Sequence, residues 1–388
     1  MLALVWGAIW GVLVIYLLSR VLRQFYAFRE TTLMASSGGA DMPAVSIIVP
    51  VRNEFDNIEQ CIAGLTAQTC LTDRSSIIIV DDDSQDGTAA VLERRIALDP
   101  RIRAIAAGPL PRGWVGKPHA CWRGALVSRG DWLCFIDADV RAAPELIASA
   151  VTVAQTHGID MLSLHPSQEL GSFWERIIFP AGLLMIACAK SFVPASADNA
   201  NGQFLLVRRE VYFQVGGHAA VRVEICEDKT LAGLVKQAGF CFRVFAAEHL
   251  ARTRMYRDLG SLWEGLSKNA TEILGSSWAT LTAAFVGLAV GWTALLLPIT
   301  TGAATVRDPS TVATIGAGLA LLGSAVVVGI HLAMARHFHI PVIYGLLFAL
   351  GYTITACLAC SSVLAHIDGR VTWKGRIYRL DKSAPDGA

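Results

Sequence analysis

Three acidic clusters carry the chemistry open to this chain. The first, Val80-Asp-Asp-Asp-Ser-Gln-Asp-Gly-Thr88, sets Asp81, Asp82, Asp83 and Asp86 directly after the β-branched run Ile77-Ile-Ile-Val80. Two readings fit it: a solvated acidic turn, or a seat for a ribonucleotide and its metal. The second, Phe135-Ile-Asp-Ala-Asp139, also closes an apolar run. Alternation along an extended segment turns Asp137 and Asp139 to the same side, with Ala138 away. Such a pair suits Mg²⁺ or Mn²⁺, which takes one or two protein carboxylates and fills its shell with water and phosphate oxygens. The third, Glu224-Ile-Cys-Glu-Asp-Lys229, opens a helical stretch. Acidic residues in a first turn are favourable with the helix dipole, so capping and general-base roles are both open for Glu227 and Asp228.

Familiar phosphate motifs do not account for these clusters. Gly113-Trp-Val-Gly-Lys-Pro118 carries the lysine of a phosphate loop but lacks its first glycine and the hydroxyl that would hold Mg²⁺. Lys117 is either a ligand for a diphosphate or a solvated turn lysine. No G-x-G-x-x-G follows a strand.

Alternating elements must position the clusters. Val45-Ser-Ile-Ile-Val-Pro50, Ile77–Val80, Ile102–Ala106 and Trp132–Ile136 read as buried strands. Helical patterns occupy about 56–69, 87–98, 118–127 and 224–237. Strands alternating with helices predict an α/β fold with a mostly parallel, Rossmann-like sheet and flanking helices. Ligands of such sheets bind outside the carboxyl ends of the strands, where the first two clusters lie.

The rest of the chain is of another kind. Of its 388 residues 53% are hydrophobic and 17% charged, and the net charge of +1 gives no field for nucleic acid. Residues 1–19 carry no charged side chain, and uncharged runs recur at 273–306, between Asp308 and Arg336, and at 339–367. Each is near or above the ~20 residues of a spanning helix. One N-terminal and about three C-terminal transmembrane helices are expected. Arg20, Arg23 and Arg29 after the first place the following domain in the cytoplasm. The reading divides the chain into a transmembrane helix (1–19), a linker (20–43), a cytoplasmic catalytic domain (44–255), an interfacial segment (256–275), transmembrane helices (276–366) and a basic tail (367–388). Three C-terminal crossings would put that tail, with Arg370, Lys374, Arg376, Arg379 and Lys382, on the wrong side. Either one segment is re-entrant or the apolar stretch 173–192 also crosses; the latter reads as an interfacial helix.

Together these residues resemble the family-2 nucleotide-sugar glycosyltransferases, with their GT-A fold. The resemblance spans about 45–269 through an ordered set: P-V-R-N-E at 50–54, V-D-D-D-S-Q-D-G-T at 80–88, G-K-P-H-A at 116–120, D-A-D at 137–139, N-G-Q-F-L-L-V-R-R-E at 201–210, G-G-H at 216–218 and E-D at 227–228. It implies that Asp82, with Asp81 as neighbour, receives the nucleobase. Glu54 and the backbone around Pro50 and Arg52 line that pocket, and Lys117 reaches the diphosphate. Asp137 lies near the ribose, and Asp139 ligates the divalent metal. Asp228 matches the general base, with Glu227 as the alternative. Asp86 is expected to cap the following helix.

The Q-x-x-R-W of many polymer-extending members is missing. Arg254-Met-Tyr256 and Trp263-Glu-Gly265 with Lys268-Asn269 look more like members that glycosylate carotenoid, hopanoid or other lipid acceptors. Arg254 and Lys268 are candidates for the diphosphate or for lipid headgroups. The implied function is inverting, metal-dependent transfer of a single sugar, foremost from a UDP-sugar, to a membrane lipid at the bacterial inner membrane. The alternatives are a polyprenyl-phosphate sugar transferase or polysaccharide synthase, and a non-catalytic nucleotide-sugar-binding subunit.

Overall fold

The computed structural model describes residues 1–39, 42–72 and 74–379. It forms two compact units: an α/β unit (Ala27–Glu169, Val193–Met255 and the chain from Lys374) and a helical unit (Met1–Tyr26, Leu170–Phe192 and Tyr256–Trp373).

Helix α1 (Leu2–Glu30) leads into the α/β unit. There β1 (Val45–Val51), α2 (Ile58–Thr66), β2 (Ser76–Asp81), α3 (Thr88–Leu98), β3 (Ile102–Ala106), α4 (Gly116–Val127) and β4 (Trp132–Ile136) alternate as the pattern requires. After them come β5 (Val140–Ala142), α5 (Leu146–Thr156), β6 (Met161–His165) and β7 (Ser167–Gln168). Helix α6 (Phe173–Ala189) belongs to the helical unit. The chain then returns through β8 (Phe204–Arg208), α7 (Arg209–Gln214), α8 (Gly217–Ala220), α9 (Glu227–Gln237), β9 (Phe242–Ala246) and β10 (Ala251–Thr253).

Seven strands form one sheet in the order β3-β2-β1-β4-β8-β6-β9, with β5-β10-β7 a smaller one. The large sheet is parallel except at β8, which runs antiparallel to both β4 and β6. Ile47, Ile48, Val49, Ile77, Ile79 and Leu133 are fully buried, as expected for strands covered on both faces. Parallel pairing has a direct consequence for the site. Val51 pairs with Asp81, so β1 and β2 end together, and β4 ends beside them. The start of antiparallel β8 reaches the same edge, with Phe204 opposite Ile136. Helix α4 is held close to this edge because Gly124 lets it touch β1: a Cβ there would stand 2.5 Å from Ile48 Cγ2.

The helical unit contains α1, α6, α10 (Leu259–Leu274), α11 (Ser277–Arg307), α12 (Thr311–His337), a short 3₁₀ turn (Val342–Leu347), α13 (Phe348–Ile367) and β11 (Arg370–Trp373). Four helices are long and apolar enough to cross a membrane by length and composition, one N-terminal and three C-terminal. One boundary differs from expectation. Helix α1 continues to Glu30 instead of ending near 19, because Arg20 and Gln24 donate to the carbonyls of Cys188 (3.1 Å) and Ala187 (3.1 Å) at the end of α6. Helix α6, expected to lie at the membrane interface, packs within the helical unit. It starts at a capping box of Ser172 and Glu175, and its Ala181 and Met185 join a cluster with Val290, Ala349 and Tyr352.

The register of α13 bears on the tail. Three residues separate α11 from α12, so the two are antiparallel. Helix α13 is also antiparallel to α11: Gly291 approaches Ala349 and Tyr352, Ala284 clusters with Ala356 and Ala359, and Thr271 of α10 meets Ser362 at 2.9 Å. Helix α13 thus begins beside the middle of α11 and ends beside α10, near where α11 starts. The basic tail therefore starts at the same end of the helical unit as α11. Lys382 lies outside the described residues.

Candidate active site

The shared strand edge gathers most of the expected residues. Pro50 is the penultimate residue of β1, and Arg52 follows the strand, donating through Nη1 to the carbonyl of Asp83 at 3.0 Å. The Asp82 N–H donates to the Val51 carbonyl at 2.8 Å, which carries the chain past the end of β2. Asp82 is 4% exposed, and its Oδ1 is buried without a hydrogen-bond partner among the described residues. Asp81 turns elsewhere: its Oδ1 accepts from the Ser84 N–H (3.1 Å) and hydroxyl (2.6 Å), so it builds the loop. Asp86 also serves the turn, accepting from Thr88 at the start of α3 and from the Phe55 N–H at 3.0 Å. Burial opposes ionisation there, but those hydrogen bonds hold the carboxyl below its ordinary range. The acidic run is therefore split between a buried carboxylate, Asp82, and turn-building ones, Asp81 and Asp86.

Lys117, in the first turn of α4, anchors the second group. Its ammonium lies 2.8 Å from Asp137 Oδ1 and 3.1 Å from Glu227 Oε1, joining β4 to α9. Burial opposes the charge, but Asp137 and Glu227 outweigh it and raise the ammonium's pKa well above the lysine value. The Asp137 N–H donates to the Gln203 carbonyl at 3.1 Å, tying the D-x-D turn to the start of β8.

The adjacent acids of α9 have different surroundings. Burial works against ionised Glu227, yet Lys117 and then His218 bring its pKa below the ordinary value. Asp228 accepts from the Gly202 N–H at 2.6 Å and from its neighbour Lys229 N–H at 2.8 Å. Burial and the charge on Glu227 nevertheless push its carboxyl up to about 6. One acid is fixed as an anion by a lysine; the other titrates close to neutrality, as a general base does. His218 behind them is buried, its Nδ1 2.9 Å from the Tyr212 hydroxyl, and burial lowers its pKa to about 4.

Gly202 is a close approach: a Cβ there would stand 3.0 Å from Lys117 Nζ and 3.2 Å from Asp228 Oδ2, so that both side chains would have to give by a few tenths of an ångström. Gly202→Ala is expected to displace both groups and lower kcat by about ten- to a hundredfold. Steady-state kinetics beside a circular dichroism spectrum check this; unchanged kcat would mean that the pair adjusts freely.

Asp139 bears on the metal. Its Oδ1 is buried and has no hydrogen-bond partner among the described residues, and burial, Asp137 and Glu54 push the carboxyl up to about 7. That is the chemistry of a carboxylate needing a cation. Among the described residues no group of three or more His, Cys, Asp or Glu forms a ready cage. A hard divalent ion that draws its remaining ligands from phosphate and water fits such a site.

Arg254 follows β10 and is half-buried. Lys268 belongs to the helical unit, on α10, with its ammonium 4.2 Å from the centre of the Trp373 ring. Sequence reasoning missed Gly202 and the tail residues Lys374 and Arg376, which pair with Glu54 and Asp82. In the sequence the tail bears only on membrane sidedness, although Gly375 marks a turn.

A mostly parallel sheet with acidic strand ends and a helix opening on paired acids is the build of a GT-A-like transferase domain. Residues 46–228 match the model of glycosyl transferase family 2. The 4,4'-diaponeurosporenoate glycosyltransferase of Staphylococcus aureus (strain MRSA252) is 26% identical over 265 residues, covering 66% of this chain and 69% of that protein. Its counterpart in Staphylococcus haemolyticus (strain JCSC1435) is 24% identical over 238 residues, 60% of this chain and 62% of that protein. In fold the chain is similar to the mannosyltransferase PcManGT from Pyrobaculum calidifontis, solved in complex with GDP-Man and Mn2+. The TM-score is 0.54 at 16% identity, over 93% of this chain and 99% of that one. The chain carries a family-2 glycosyltransferase domain and is a glycosyltransferase.

Proposed function

We propose that the protein transfers one sugar from a nucleotide-sugar donor to a lipid hydroxyl or carboxyl at the membrane, with inversion at the anomeric carbon. The observation that carries this reading is the contrast between Glu227, paired with Lys117, and Asp228, with a pKa of about 6. Asp228 takes the acceptor proton as its oxygen attacks the anomeric carbon opposite the leaving diphosphate. Lys117 holds Glu227 as an anion, opposes the burial that raises the Asp137 pKa, and adds positive charge near the departing group. Asp82 accepts a nucleobase N–H, while Glu54 and Arg52 shape the same pocket. Asp139, with Asp137, would hold a divalent cation, which supplies Lewis-acid stabilisation of the diphosphate when bound.

The lipid acceptor is supported by the four long apolar helices and by the relatives named for 4,4'-diaponeurosporenoate. Arg20, Arg23 and Arg29, in the C-terminal third of α1, support a cytoplasmic active site in a multi-pass inner-membrane protein. UDP- and GDP-sugars are both candidate donors. The test is incubation of purified protein and Mn²⁺ in bacterial lipid extract with radiolabelled UDP-glucose, UDP-GlcNAc and GDP-mannose, followed by counting of the organic phase. Label from one donor as a single-sugar lipid is expected. Label in a multi-sugar product would point instead to a synthase, and label from none of the donors would overturn the reading.

A further inference from the structure

The segment after β11 returns to the acidic edge. The Arg376 guanidinium pairs with Asp82 Oδ2, and the Lys374 ammonium pairs with Glu54. The backbones are tied as well: Lys374 Nζ donates to the Arg52 carbonyl at 2.8 Å, and Arg52 Nε donates to the Lys374 carbonyl at 3.2 Å. Lys374 and Gly375 take φ of 46° and 77°, a left-handed pair that turns the chain back on itself. Gly116, opening α4, closes against this arrangement. A Cβ there would stand 2.5 Å from Asp82 Oδ2, 2.8 Å from Arg376 Nη1 and 3.1 Å from the Tyr378 hydroxyl.

This clamp leaves one oxygen of Asp82 unused. Oδ2 is committed to Arg376, while Oδ1 is buried and has no hydrogen-bond partner among the described residues. A buried acceptor without a donor is costly, and a ligand that supplies an N–H removes that cost. We propose that Arg376 is a positioning residue of the donor site, holding Oδ2 of Asp82 so that Oδ1 is presented to the nucleobase N–H of a nucleoside diphosphate. Lys374 adds positive charge at Glu54, beside the same pocket. The residues following the helical unit therefore complete the donor site of the α/β unit. This rests on Asp82 being the nucleobase acceptor.

An arginine suits the task because its planar fork fixes a carboxylate's orientation, which a lysine's single ammonium does not. A positioning role also separates from a plug. A segment that merely filled the pocket would have to leave before nucleotide entered, and its removal would tighten binding.

The experiment is calorimetric titration of full-length protein in detergent with UDP and, separately, GDP, each with Mn²⁺, alongside steady-state kinetics with the matching sugar donor. Arg376→Ala is expected to weaken binding of the accepted nucleotide about tenfold, with the loss appearing in the donor KM rather than in kcat. Arg376→Lys should recover only part of it. In an Asp82→Asn background, Arg376→Ala should add little, because the two act as one unit. Unchanged or tighter binding by Arg376→Ala, with Asp82→Asn still weakening it, would overturn the positioning role alone; tighter binding would identify a plug. Undiminished binding by Asp82→Asn would overturn the nucleobase reading and this inference with it. A thermal melt of each variant identifies any loss that reflects unfolding.

Discussion

Asp228→Asn should reduce sugar transfer by about 10²–10⁴-fold, the usual worth of a positioned general base. Nucleotide affinity should stay within about twofold. The substitution is nearly isosteric, and the new amide oxygen can still accept from the Gly202 N–H that lies 2.6 Å from Asp228 Oδ2. What disappears is the basic lone pair. Single-turnover transfer measured beside nucleotide titration separates this from a folding defect. Less than a tenfold loss would remove Asp228 as the base. A collapse in Glu227→Gln combined with an active Asp228→Asn would exchange the roles of the two acids.

The same assignment fixes a pH dependence. A base works ionised, and the Asp228 carboxyl is pushed up to about 6 by burial and the neighbouring Glu227. In the wild type, kcat/KM should therefore rise with pH to a plateau above about 7 and fall on the acid side with a midpoint near 6. A limb near the ordinary carboxylate range would mean that the buried pair is not what limits the reaction.

The sheet was legible in the sequence because each strand of the first half is a short β-branched run bounded by turn residues. β1, β2, β3 and β4 fall within a residue or so of where the pattern put them. Asp82, Asp137, Asp139, Glu227 and Asp228 were legible because strand ends and helix starts have local signatures. Asp81 shows the limit of that legibility: beside Asp82 in the sequence, it bonds to Ser84 in its own loop. Local pattern does not report where adjacent side chains turn at a strand end. Arg376 and Lys374 lie about 290 and 320 residues from their partners in the chain, so no window of sequence holds both halves of either pair. The length of α1 was missed for a similar reason. Arg20 and Gln24 read as the end of an apolar run, yet they extend the helix by bonding to carbonyls of α6.

Lys117 carries the second large effect. Its sequence neighbourhood offered two roles, a diphosphate ligand or a solvated turn lysine. The geometry adds a third: a counter-ion standing 2.8 Å from Asp137 and 3.1 Å from Glu227. Lys117→Met leaves those carboxylates facing each other with no charge between them. Like charges that close disfavour ionisation, so a proton enters the cluster near neutral pH. The ammonium also lowers the pKa of Asp228, so without it the base ionises later. The expected result is a loss of activity of about a hundredfold at pH 7, with the acid limb of kcat/KM displaced upward by about a unit. Lys117→Arg, which keeps the charge on a wider group, should hold the limb nearer its original place while still losing rate. The pH profile is what decides between the roles. A lysine that only binds diphosphate would cost nucleotide affinity and leave the acid limb where it was. A counter-ion to the acids moves the limb, even when saturating donor has hidden any loss of affinity.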